Sequence, residues 1–262
     1  MAALLDRLRN WLGHLPGWRS AAPIPDTLWE QTLAAYPFLA GRSADELLQL
    51  RALAARFLAH KEFTGAHGLV VTDDMAVAIA AQACLPVLHL GLDWYDDFKG
   101  IVVHPGAMVA QREITDAAGV VHRYREVLAG EAMERGPVTL SWQDVTEAGA
   151  STQGYSVVIH EFVHKLDMRD GAANGCPPQP SRSAQTRWQA AMQEAYAKFR
   201  EQVIMAERFG GEWPWLDAYG ATAPAEFFAV ASEAYFVNRE RFAEDFAGLM
   251  PVFDGFFRRG PA

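Results

Sequence analysis

Residues 160–164, His-Glu-Phe-Val-His, constrain the fold of this chain more than any other segment. An α-helix turns about 100° per residue, so side chains four positions apart lie on one face, one turn apart. His160 and His164 can therefore direct ring nitrogens at the same metal ion. Glu161 lies beside them, where a carboxylate can hold a water molecule without binding the metal itself. The segment predicts a zinc-dependent hydrolytic site on a helix.

The surroundings of these histidines favour a rigid, buried helix. Most of the residues between and around them are apolar, Ser151 and Thr152 are candidate N-caps, and Asp170-Gly171 ends the pattern. Asp167 stands in the last turn, where the helix dipole disfavours a carboxylate, so it requires a compensating partner. We expect Asp167 either to fix the tautomer of a ligand histidine or to cap the loop that follows.

Two histidines leave the metal short of a third protein ligand. Downstream, a second helix opens at Pro224, with Glu226 in its first turn. Glu233, seven residues later, shares the face of Glu226 and competes with it for this role. His104 and His122 are more remote candidates. Spacing alone leaves the choice of the third ligand open.

Composition limits the class of protein. The chain has 262 residues, half of them apolar, and a formal net charge of −9. This charge, without clustered lysines or arginines, disfavours nucleic acid as a partner and favours peptides or proteins. The two cysteines, Cys84 and Cys176, are interpreted as free thiols in a reducing compartment. Charged residues interrupt the N-terminal leucines, which is untypical of a signal peptide, so we expect a cytoplasmic protein.

Residues 75–92 contain no Asp, Glu, Lys or Arg. A run of this length is compatible with a membrane span. Pro86 interrupts it, however, and two acidic residues stand just before it, where they favour the start of a helix. We therefore predict no membrane span but a buried helix followed by a short strand, VLHLGL, in which His89 is a hydrogen-bonded core residue.

Hydrophobic periodicity predicts a mainly helical α+β fold. An amphipathic helix near residues 4–15 is expected to pack on the protein's own core rather than on a membrane or a partner. Ser43 is the expected N-cap of the next helix, paired with Glu46. Three β-rich runs predict a small, largely antiparallel central sheet: GIVVHPG, VVHRYREVL and GPVTLSWQDV. Helices are predicted over Gln185–Phe209, Pro224–Asn238 and Phe242–Phe257.

The segment GAANGCPPQPSRSAQ follows the HEFVH helix. Its glycines and prolines cannot continue a helix, and it is longer than most connections between elements. Two interpretations stand side by side. The segment is either a solvated linker or a lid that covers the cleft.

Three segments, HEFVHKLDMRDGAANG, GPVTLSW and YGATAPAEFFAVASEAYF, resemble the Mlc titration factor A family. Members of this family are bacterial zinc peptidases of the gluzincin type, with a catalytic core related to that of the anthrax lethal factor protease. The resemblance extends more loosely over residues 60–257. It implies a zincin-like metallopeptidase domain over residues 61–262, with residues 1–60 as a helical segment packed on it.

The same resemblance implies roles for five residues. His160 and His164 would bind one Zn²⁺ ion, and Glu226 would be the third ligand. Glu161 would act as the general base, and Tyr219 would assist catalysis. The family also implies binding to the glucose-responsive repressor Mlc and so an effect on the glucose phosphotransferase system, which no residue of the sequence predicts by itself.

Two hypotheses of function follow. The first is a zinc-dependent peptidase, with aminopeptidase as its expected form, in which GPVTLSW is an edge strand that pairs with an extended peptide. The second is a non-catalytic protein that binds a regulator and whose zinc is structural or vestigial. A structural site is usually closed by four protein ligands, whereas three candidates are found, so the first hypothesis is preferred.

Overall fold

The structure is a computed structural model that describes residues 21–115, 121–128, 130–150 and 154–259. The predicted helix near residues 4–15 lies outside these ranges. The helices are α1 Asp26–Ala35, α2 Pro37–Ala40, α3 Ala44–His60, α4 Asp73–Cys84, α5 Trp142–Ala150, α6 Val157–Asp167, α7 Arg182–Phe209, α8 Pro224–Val237, α9 Arg239–Asp245 and α10 Met250–Phe257. The strands are β1 Glu62–Gly65, β2 Gly100–His104, β3 Met108–Thr115, β4 Val121–Leu128, β5 Gly130–Ala132 and β6 Val138–Ser141. The fold is mainly helical α+β, as expected.

The central sheet is mixed, and the expectation of a largely antiparallel sheet was wrong. Its strand order is β1-β2-β6-β5. Strands β1 and β2 run parallel, as do β2 and β6, whereas β5 is antiparallel to β6. Strands β3 and β4 form a separate antiparallel pair. Parallel neighbours such as β1 and β2 are joined through a helical crossover, here α4, and local strand patterns do not reveal such a pairing.

The segment GPVTLSW was expected at an edge of the sheet, and this was also wrong. It contains β6, which is hydrogen-bonded to β2 on one side and to β5 on the other. The edge strand next to it is β5, which packs against α6. Pairing with an extended peptide at this side of the sheet is therefore open to β5 and not to β6.

The uncharged run begins as predicted, with the buried helix α4. The expected strand VLHLGL is instead a series of turns over residues 86–90. Hydrogen bonds of Leu90 and Gly91 to the carbonyl of Val87, at 3.0 and 2.8 Å, close these turns. Val87 is fully buried although no strand of the described residues pairs with it. His89 is half-buried, with its Nε2 3.5 Å from the Glu46 carboxylate. No helix in the described ranges is long and apolar enough to cross a membrane.

Two further predictions concern helix ends. The Ser43 hydroxyl accepts a hydrogen bond from the Glu46 N–H and the Glu46 carboxylate accepts one from the Ser43 N–H, so the predicted cap of α3 is confirmed. The single helix expected over residues 242–257 is two helices, α9 and α10. Pro251 cannot donate a backbone hydrogen bond inside a continuous helix, and it stands in the first turn of α10 instead.

An aromatic core fixes the position of α8. Trp188 of α7 stacks on Phe253 of α10, with ring centroids 5.3 Å apart, and meets the ring of Phe228 on α8 at 5.5 Å. Helix α8 also packs against α6, so the two helices that carry the predicted site lie side by side. Residues 21–60 contribute to the same hydrophobic core, and the boundary at residue 60 stays a prediction. Both cysteines are free thiols, as expected.

Candidate metal centre

Helix α6 begins at a buried serine. The hydroxyl of Ser156 accepts a hydrogen bond from the Ile159 N–H at 3.2 Å and donates one to Gln82 Oε1 at 2.9 Å. This side chain satisfies a backbone N–H that has no partner within the first turn. Ser156 is therefore the N-cap, in place of the predicted Ser151 or Thr152, which lie outside the described residues.

Helices α6 and α8 bring three of the predicted side chains together. The Nε2 atoms of His160 and His164 are 3.2 Å apart, and they lie 3.1 and 3.2 Å from Glu226 Oε2. A tetrahedral Zn²⁺ ion with ligand distances of about 2.0–2.1 Å separates its ligand atoms by about 3.3 Å. The triangle of two nitrogens and one carboxylate oxygen thus has the size and the chemistry of a zinc site, and it leaves a coordination position open, as catalytic sites do.

The alternatives for the third ligand lie elsewhere. In the described part of the chain, His160, His164 and Glu226 are the one group of three such side chains close enough to share an ion. His104 lies beside His67, with 5.2 Å between the ring centroids, and does not join this group. The side chain of His122 is outside the described part.

Glu233 holds His160 from the opposite side of its ring. Its Oε1 lies 2.8 Å from His160 Nδ1, and its Oε2 accepts a hydrogen bond from the Ser156 N–H at 2.6 Å. A carboxylate at Nδ1 keeps the proton there and leaves Nε2 free to bind a metal. Sequence reasoning considered Glu233 only as a ligand. The sequence feature that indicated its location is its spacing of seven residues from Glu226, which places both side chains on one face of α8 about two turns apart.

Asp167 caps a loop and does not orient a histidine. Its carboxylate accepts hydrogen bonds from the backbone N–H groups of Asn174, Gly175 and Cys176, at 2.8, 2.7 and 2.9 Å. Among the described residues, the buried Nδ1 of His164 has no hydrogen-bond partner. The loop-capping interpretation is thus the one that the contacts support.

The loop over residues 171–181 is anchored on the protein, which is unlike a solvated linker. Gly175 has φ +81°, and a β-carbon on it would lie 2.6 Å from the carbonyl oxygen of Pro224 at the start of α8. The carbonyl of Gly175 accepts a hydrogen bond from Trp188 Nε1 at 2.8 Å. The loop therefore lies against the helix end that carries Glu226. Its proposed action as a lid stays a prediction.

The other two predicted residues flank this group. Glu161 is buried against β5, and a β-carbon on Gly130 would approach its Oε1 to 2.5 Å. Tyr219 is 41% exposed, and the centroid of its ring lies 6.1 Å from that of His160. A hydrogen bond from its backbone N–H to Asp217 Oδ1, at 2.9 Å, fixes the short helical turn that carries it. All five predicted site residues thus lie in one place.

Residues 9–258 match the family described as glucose-regulated metallo-peptidase M90. The chain belongs to this family. It is similar to Mlc titration factor A of Enterobacter sp. (strain 638), at 36% identity over 247 residues, which cover 93% of this chain and 91% of that protein. The Mlc titration factors A of Klebsiella pneumoniae (strain 342) and Serratia proteamaculans (strain 568) are 38% and 37% identical. Those alignments cover 89% and 93% of this chain, and 86% and 92% of the relatives. The resemblance inferred from the motifs is confirmed.

The charges of the centre suit a member of a metallopeptidase family. Burial lowers the pKa of His160, but its bonds to Glu226 and Glu233 outweigh burial and hold this pKa well above its usual value. Burial raises the pKa of Glu161, and the two histidines offset only part of that effect. Burial also raises the pKa of Glu226, and its bonds to both histidines bring it far below the usual range. Three carboxyl groups around two imidazoles favour the binding of a divalent cation.

Proposed function

We propose that this member of the M90 family is a zinc-dependent peptidase and, in the narrower form of the proposal, an aminopeptidase. The observation that carries it is the triangle of His160, His164 and Glu226 with the buried carboxylate of Glu161 beside it. These three ligands would hold the ion. When bound, Zn²⁺ supplies Lewis acidity, which polarises the scissile carbonyl and lowers the pKa of water.

Other residues of the chain carry out the remaining steps of the proposed reaction. Glu161 accepts a proton from the attacking water and passes it to the leaving amine. Tyr219 donates a hydrogen bond to the carbonyl oxygen as that oxygen gains negative charge, a contact that strengthens in the transition state. Glu233 keeps the ring of His160 in its orientation. Strand β5 offers the edge along which an extended peptide can lie.

The excess of carboxylates supports the aminopeptidase form. Three carboxyl groups, those of Glu161, Glu226 and Glu233, lie around the two histidines, and a divalent cation balances only two of their charges when all three are ionised. This balance favours a substrate that presents a positively charged amino group over one that presents a terminal carboxylate. Peptides with a free N-terminus should therefore be cleaved faster than the same peptides with an acetylated one. Equal rates for the two would contradict the aminopeptidase form and leave the peptidase proposal standing.

The test of the peptidase proposal is Glu161→Gln. This change removes the base and keeps the shape of the side chain, so activity should fall by about 10²–10⁴-fold with zinc content unchanged. Wild-type protein stripped of metal by a chelator, and then reloaded, is the control for dependence on the ion. Full activity of the variant at full zinc content would show that Glu161 is not the base.

A second candidate function rests on the name of the relatives. Proteins similar to this chain are called Mlc titration factor A, which connects them with the repressor Mlc. We propose that this chain also binds Mlc and thereby acts on the glucose phosphotransferase system from a cytoplasmic location. Retained Mlc binding by the Glu161→Gln variant would separate recognition from catalysis. If neither wild type nor variant binds Mlc, the regulatory proposal is wrong.

A further inference from the structure

Lys165 has no exposed side-chain surface, although it carries a charge. A buried ammonium is costly unless polar groups surround it. Its Nζ donates hydrogen bonds to the carbonyls of Met133 and Gly136, at 2.8 and 3.3 Å. Nζ also lies 4.5 Å from the Phe98 ring centroid and 3.6 Å from the Asp97 carboxylate. Both carbonyls belong to the turn that joins β5 to β6, so the lysine ties this turn to α6.

Strand β5 meets α6 at a second point. Glu161 and Lys165 stand four residues apart and share one face of the helix. Gly130, the first residue of β5, lies against Glu161 so closely that a β-carbon there would come within 2.5 Å of its side chain. One end of β5 therefore rests on the candidate base and the other on the lysine. Contacts at two points fix both the position and the direction of the strand on the helix.

The position of β5 matters for a long substrate. An edge strand presents backbone groups that can pair with an extended peptide. A peptide held in this way has its scissile bond placed by the strand, and a displacement of about 1 Å at a reacting bond can cost about 10²-fold in rate. A substrate too short to reach the strand does not depend on that placement.

We propose that Lys165 is a positioning residue that holds β5 in place for extended peptide substrates. It acts through the β5–β6 turn and touches no reacting group. The inference rests on the proposed peptidase function and adds a dependence on substrate length. Loss of the lysine weakens the binding and alignment of long peptides and leaves small substrates nearly unaffected.

The test compares Lys165→Met with Lys61→Met. Methionine keeps most of the length of the lysine stem and removes the ammonium. Lys61 is a matched control because its Nζ also lies over the Phe98 ring, 3.8 Å from the centroid, and donates to two carbonyls, those of Tyr95 and Phe98. Neither carbonyl belongs to the β5–β6 turn. This control removes an ammonium that lies over the same ring and keeps the hydrogen bonds between Lys165 and the β5–β6 turn.

The measurements are kcat and KM for an amino-acid 4-nitroanilide and for a peptide long enough to span β5, with zinc content determined for each variant. Lys165→Met should lower kcat/KM for the long peptide by about tenfold and change kcat/KM for the anilide by less than about twofold. Lys61→Met should change neither by more than about twofold. If Lys165→Met does not fold, Lys165→Gln keeps an amide NH2 donor without the charge and should show the same contrast at smaller size.

Two outcomes would overturn the inference about Lys165 and leave the proposed peptidase function standing. One is an equal loss for both substrates in the Lys165 variant at unchanged zinc content, and the other is the same contrast in Lys61→Met. If the zinc-loaded wild type cleaves neither substrate, the proposed function fails and the inference fails with it. The two failures are therefore distinguished by the wild-type measurement.

Discussion

The two ends of α6 are each held by a buried carboxylate, and the two carboxylates act on different groups. At the N-terminal end, Glu233 binds the Ser156 N–H and His160 Nδ1. At the C-terminal end, Asp167 binds backbone N–H groups of the following loop, although it stands only three residues after His164. The group that orients a histidine comes from the facing helix. Nearness in sequence to a candidate ligand is thus a poor guide to what a carboxylate does.

The difference follows from where α8 meets α6. Glu226 and Glu233 are seven residues apart on α8, about two turns, and they contact the two nitrogens of the same ring. His160 is therefore held on both sides by glutamates of one helix. His164 shares Glu226 on one side, and its Nδ1 has no hydrogen-bond partner within the described residues. The orientation of the second ring therefore depends on packing and on its contact with Glu226.

The largest expected effect is that of Glu233→Gln on zinc binding. Ser156 N–H and His160 Nδ1–H bond to different oxygens of Glu233, and glutamine replaces one of these oxygens with an NH2 donor, so one of the two bonds is lost. Loss of a group that orients a ligand typically costs about 10–100-fold in metal affinity, and we expect the upper end, about 2.7 kcal/mol, because the Glu233 side chain is buried. Competition with a chelator of known affinity measures it. Unchanged zinc affinity would show that the ring of His160 does not depend on Glu233.

The next effect is that of Asp167→Asn on stability. The carboxylate accepts three backbone hydrogen bonds, and asparagine has one acceptor oxygen for them. We expect a loss of about 2 kcal/mol in the free energy of unfolding, measured by denaturant titration, with zinc affinity within about threefold of wild type. Asp170→Asn is the matched control, since Asp170 is an exposed acid in the same segment. If Asp167→Asn lowered zinc affinity as much as Glu233→Gln, the carboxylates at the two ends of α6 would not differ in their effect on the metal ligands.

Local patterns predicted the parts of the molecule that depend on one helix at a time. The spacing of His160 and His164 requires only helical geometry, and the Ser43 cap requires only the next turn. The bounds of α8 follow from Pro224 and an apolar run. These features are decided within a few residues, so the sequence displays them directly.

Features decided by distant partners were missed. The order β1-β2-β6-β5 depends on a crossover through α4, and β6 became internal because β5 returns beside it. The segment VLHLGL alternates as a strand would, but within the described residues no strand pairs with it, and turns satisfy part of its backbone. Glu233 became the partner of His160 through the packing of α8, which no local pattern encodes.

The smallest expected effect separates two contacts made by one residue at the N-terminal end of α6. The hydroxyl of Ser156 caps the helix, whereas its backbone N–H donates to Glu233. Ser156→Ala removes the cap and the bond to Gln82 but keeps the backbone donor, so stability should fall by about 1.5 kcal/mol. Zinc affinity should stay unchanged, because Glu233 retains both of its partners. Ser181→Ala, which removes the exposed cap of α7, is the control for a cap remote from the metal ligands and should cost about 1 kcal/mol. A fall in zinc affinity with Ser156→Ala and not with Ser181→Ala would mean that the cap itself, and not only Glu233, keeps His160 in position.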